Sequence, residues 1–72
     1  MNLDALRRDI EYRRKRILRQ RRDILDLQRH GIPTRSAEEL LERMLLKVDE
    51  LCAERNRLWA AERPTKRGTQ RR

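Results

Sequence analysis

Residues 13 to 22, Arg13-Arg14-Lys15-Arg16-Ile17-Leu18-Arg19-Gln20-Arg21-Arg22, carry seven cations and no acid. Guanidinium forks match the oxygen geometry of phosphate and bind it bidentately. A run of them on one element is the electrostatic footprint of nucleic-acid binding. Arg13, Arg14, Lys15, Arg16, Arg19, Arg21 and Arg22 are therefore the candidate nucleic-acid-binding residues, for RNA or DNA. On a helix these seven wrap most of the circumference, so several must face solvent. The alternative is that acids neutralise them, either on a neighbouring helix or on a partner's surface. The chain would then be a protein–protein interaction adaptor, or a structural coiled-coil protein whose basic face docks an acidic partner. No aromatic interleaves the cluster to stack bases, since Tyr12 stands alone at its edge.

Other reactive side chains are few. His30 is the single histidine and Cys52 the single cysteine. One cysteine excludes an intramolecular disulfide and points to no metal site. His30 falls where a helix would end, a place suited to capping carbonyls and to the helix dipole. The sequence holds no nucleophile–base pair, no metal-ligand spacing and no Gly-rich phosphate loop. The expectation is a non-enzymatic protein with no cofactor, no metal and no small-molecule substrate.

Two helices must position the cluster. Between Leu3 and His30 there is neither Gly nor Pro, and Leu3, Ile10, Ile17 and Ile24 recur every seven residues. Leu6 and Leu27 follow the first and last of these by three. With Arg13 and Gln20 at the intervening positions, the pattern is a heptad seam that is apolar at both ends and polar in the middle. A second stripe, Leu41, Met44, Val48, Leu51, Arg55 and Leu58, alternates spacings of three and four. Polar residues in such slots fix register or oligomeric state at some cost in stability. Asp4/Arg8, Glu11/Lys15, Arg19/Asp23 and Arg22/Asp26 stand four apart and are expected to pair along the first helix, at about 0.2–0.5 kcal/mol each.

The connection is written in His30-Gly31-Ile32-Pro33-Thr34-Arg35-Ser36. Gly31 can take the left-handed conformation past a helix end, and Pro33 cannot continue a helix. Ser36-Ala37-Glu38-Glu39 reads as a capping box that restarts one. The predicted organisation is a helical hairpin over residues 1–63, with helix one at about 3–30, a turn at 31–35 and helix two at about 36–63. Residues 64–72 follow as a disordered basic tail, because TKRGTQRR contains nothing to bury.

Charged residues form 44 % of the chain and aromatics 3 %, which suits exposed or coiled helices better than a thick globular core. The net charge of +8 is uneven, with +5 on residues 1–30, −1 on 31–63 and +4 on 64–72. Beside the seams, Leu18 and Leu25 widen one helix, and Leu45, Cys52 and Trp59 widen the other. Faces this wide predict an all-α, coiled-coil-like antiparallel hairpin that dimerises into a four-helix bundle, with those five residues at a dimer or partner interface. The expected partners are a second copy of the chain and either nucleic acid or an acidic protein surface. No membrane is expected, there being no signal peptide and no apolar run of spanning length, and a cytoplasmic location follows.

Leu3-Asp4-Ala5-Leu6-Arg7-Arg8-Asp9-Ile10, followed by Arg16-Ile17-Leu18 and Arg22, resembles the first helix of the all-helical chorismate mutases. That family begins L-x-x-L-R-x-x-I-D and continues into a leucine-rich stretch. Here Glu11 stands at the family's aspartate, and Arg19-Gln20-Arg21-Arg22 replaces the leucines. The likeness covers about twenty residues and carries over no catalytic residue.

Overall fold

The computed structural model describes residues 2–61, which form two α-helices, α1 (Leu3–Arg29) and α2 (Arg35–Ala61), and no strand. The two helices pack on each other as an antiparallel hairpin. Each has 27 residues, about 40 Å at 1.5 Å per residue, so they match in length. The expected disordered tail, residues 64–72, and the expected end of helix two near residue 63 lie outside the described residues.

Both ends of α1 are closed by specific hydrogen bonds. Asn2 is the N-cap, and its Oδ1 accepts from the Ala5 amide at 2.7 Å. At the other end the Gly31 amide donates to the Gln28 carbonyl at 3.1 Å, and the Ile32 amide donates to the Leu27 carbonyl at 2.9 Å. This pair of reversed bonds is a Schellman motif. It requires positive φ at Gly31, which sits at +68° with open space where a Cβ would be. His30 is the C-cap, with its amide on the Asp26 and Leu27 carbonyls and its Nδ1 2.8 Å from the Asp26 carbonyl oxygen.

The start of α2 departs from the capping box at Ser36. The helix begins at Arg35, and Thr34 does the work: its carbonyl accepts from the Glu38 amide at 2.8 Å, and its hydroxyl donates to the Glu38 carboxylate at 2.9 Å. Pro33 explains the shift. It ends the extended segment that its ring imposes on Ile32, so Thr34 is the first residue able to cap. Ser36 is left inside the first turn.

The seams then meet. Leu6, Ile10, Ile17 and Val48 form the buried cluster, and Leu41, Met44, Leu51, Cys52 and Leu58 pack against it. Ile24 is also buried. The polar middle of the α1 seam resolves into two different contacts. Gln20 Nε2 crosses to the Ala37 carbonyl of α2 at 2.9 Å, which is a bond between helices that only this register allows. Arg13 stays on its own helix, with Nε donating to Asp9 Oδ1 at 3.0 Å.

Replacing Gly31 with Val should cost about 1–2 kcal/mol, because a Cβ disfavours the left-handed conformation whatever the space around it. Thr34→Ala should cost about 0.5–1.5 kcal/mol through the lost bond. Ser36→Ala should stay within about 0.5 kcal/mol. Urea denaturation of the three variants checks this order, and a larger loss at Ser36 than at Thr34 would contradict it.

Candidate nucleic-acid interface

The helical period of α1 sorts its cations by direction. Arg8, Lys15, Arg22 and Arg29 recur every seven residues on the side away from the seam, about 10.5 Å apart along the axis, and all four are exposed. Arg19 lies between Lys15 and Arg22 on the same outward surface. Arg14 and Arg21 form one flank of this column and Arg16 part of the other, and all three are exposed. Of the seven candidate residues, Arg13 alone is drawn inward, half-buried and paired with Asp9. The other six remain at the surface.

None of the four intrahelical pairs expected on α1 forms within 4 Å. The ion pairs on α1 are instead Arg13–Asp9 and Arg29–Asp26, and those on α2 are Lys47–Glu50 and Arg57–Glu54. The reason is energetic. An exposed pair four residues apart returns only a few tenths of a kcal/mol, so spacing alone does not select it, and Asp26 is taken by Arg29 rather than Arg22. Among the described residues, moreover, no salt bridge joins α1 to α2. Every pair lies within one helix, so the acids of α2 leave the cations of α1 unneutralised at contact distance.

Two finer contacts shape the basic surface. Arg16 places its guanidinium carbon 5.9 Å from the centre of the exposed Tyr12 ring, a cation–π arrangement that keeps the ring beside the cations. Arg14 Nη2 donates across the hairpin to Cys52 Sγ at 3.7 Å. That contact shows which flanks adjoin: the Arg7, Arg14 and Arg21 side of α1 lies next to the Leu45, Cys52 and Trp59 side of α2.

The candidate interface residues sit along that same flank. Leu18 is 62 % exposed, Leu25 52 %, Leu45 36 % and Trp59 44 %. Cys52 is half-buried and touches the core cluster. Towards the turn the flank opens into a shallow groove of about 380 Å³ lined by Arg21, Ile24, Leu25, Gln28, Glu38 and Leu41. Towards the free ends of the helices it opens into a cleft lined mainly by arginine.

Sequence reasoning missed three features. Asn2 was a legible cap, standing directly before the first apolar residue of a periodic helix. The Gln20 bond to Ala37 needed the register, and the arginine cleft needed the two helices brought together. Among the described residues no three His, Cys, Asp or Glu side chains group as metal ligands, and no helix is long and apolar enough to cross a membrane. Comparison of the chain with protein-family models, curated proteins and solved structures finds no match in any of the three.

Proposed function

We propose that this chain is a non-enzymatic nucleic-acid-binding module that engages the phosphate backbone through the outward face of α1. The observation that carries this reading is that Arg14, Lys15, Arg16, Arg19, Arg21 and Arg22 are exposed and meet no carboxylate of α2. Cations left unpaired on one face attract a polyanion at long range and release its counterions on contact. Docking on an acidic protein would use the same charge. The regular column of Arg8, Lys15, Arg22 and Arg29 favours a partner whose own charge is repeated along a line, as a phosphodiester backbone's is. Such contacts position a protein and read no bases, so binding is non-specific in sequence.

We further propose that two hairpins associate through the flank bearing Leu18, Leu25 and Leu45, giving a four-helix bundle. What supports this is the exposure of three leucines beside an apolar groove, in a chain with five buried apolar side chains among its described residues. A core that small gains stability by covering a second apolar face. In such a pair the column of Arg8, Lys15, Arg22 and Arg29 stays at the surface, while Arg14 and Arg21 lie on the joined flank.

Titration of duplex and single-stranded nucleic acid at physiological ionic strength tests the first proposal. Binding is expected near 10⁻⁴–10⁻⁶ M, roughly the non-specific range. On duplex DNA, log affinity should fall with log salt at a slope near −4.5 if about five phosphates are neutralised. Glutamine at Lys15, Arg19 and Arg22 should flatten the slope with helical content unchanged. Absence of binding in that range would favour the acidic-protein reading instead. For association, sedimentation should give about twice the monomer mass, and Tm should rise with protein concentration. Leu18→Gln with Leu25→Gln should abolish both effects, whereas a monomeric parent chain would end the bundle proposal.

A further inference from the structure

The open cleft near the free ends of the helices is lined by Arg7, Arg8, Ile10, Glu11, Arg14 and Arg55, and spans about 250 Å³. Four guanidiniums from two helices therefore line one concavity with a single carboxylate among them. None of the four forms an ion pair. Like charges gathered in this way repel one another.

Arg55 is the most informative of them. It occupies a seam position of α2, in line with Val48, Leu51 and Leu58, where an apolar side chain would add to the core. It is half-buried there, and its Nε and Nη2 both reach only the neighbouring Asn56 Oδ1, each at 3.3 Å. One amide oxygen shared at that distance is a poor partner for a group with five donors. Arg14, exposed on the flank beside the seam, has the Cys52 sulfur at 3.7 Å as its acceptor. Guanidiniums with donors to spare around one concavity are what an oxyanion with several oxygens requires.

We propose that this cleft is a binding site for a phosphate monoester or diphosphate group. Three positive charges in excess over Glu11 match a multiply charged phosphate better than a single carboxylate. Arg55 supplies a fork from α2, and Arg7, Arg8 and Arg14 supply theirs from α1. The carrier of the group is either the 5′-phosphate end of a nucleic-acid strand or a free inorganic diphosphate. The site shares Arg8 with the outward basic column, whose other members, Lys15, Arg22 and Arg29, would contact internal phosphodiesters.

Calorimetric titration of the full chain with inorganic pyrophosphate tests the proposal. One saturable site per chain is expected. Arg55→Leu should weaken it about tenfold or more, the loss of one charge-assisted fork. This variant places leucine in a seam slot, so Tm should hold or rise, and weakened binding cannot be ascribed to unfolding. Lys15→Gln with Arg22→Gln, on the outward face, should leave pyrophosphate binding unchanged while weakening duplex binding. A strand with a 5′-phosphate binding more tightly than its 5′-hydroxyl counterpart, with the preference lost in Arg55→Leu, identifies the strand end as carrier. Equal binding of the two strands beside saturable pyrophosphate binding identifies the free anion. No saturable pyrophosphate binding, or binding indifferent to Arg55→Leu, overturns the site.

Discussion

Leu6, Ile10, Ile17 and Val48 make the buried cluster on which this hairpin depends, and a two-helix hairpin has only one such interface. Each helix can hide one stripe and must expose the rest of its circumference. For a helix with seven cations in ten consecutive residues, the consequence is direct. One of the seven, Arg13, falls at the seam and is held by Asp9 on its own helix. The others have no interior to enter and no acid of α2 within ion-pairing distance. The basic face is thus a product of the seam as much as of the composition.

The seam in turn depends on register, and register is set at the turn. The Schellman bonds from Gly31 and Ile32 stop α1 at a defined residue, and the Thr34–Glu38 contacts start α2 at another. The segment between the helices is too short to let one slide along the other. The Gln20 bond to the Ala37 carbonyl reads out the same register from within the packed helices. A polar side chain at a seam position costs apolar contact, and here it gains a bond that a slipped pairing would lose. The same register brings Arg55 beside Ile10 and Arg14, so the arginine cleft exists only in this alignment.

The helical period, the Gly31 stop and the apolar stripes could be read from the chain because each is a local pattern with a local cause. The second helix start was harder, since Thr34 and Ser36 are both good caps and the Ser36-x-x-Glu39 spacing is the stronger motif on paper. Pro33 decided it by fixing where the extended segment ends. The charge pairs Glu11/Lys15 and Arg22/Asp26 had ideal spacing and do not form, because spacing at the surface carries too little energy to determine a rotamer. Arg55 reads as a seam residue from its spacing, and only the packed hairpin brings it to one concavity with Arg7, Arg8 and Arg14. That kind of site has no signature in either helix alone.

If the outward face of α1, rather than α2, meets a phosphate backbone, the arginines of α1 respond to it and those of α2 do not. Arginine Nε–Hε resonances followed by NMR during addition of a short duplex test this residue by residue. The largest shifts are expected at Arg8, Arg19, Arg22 and Arg29, with Arg43 and Arg57 of α2 unmoved. Shifts confined to α2, or no shift on α1 at saturating duplex, would contradict it.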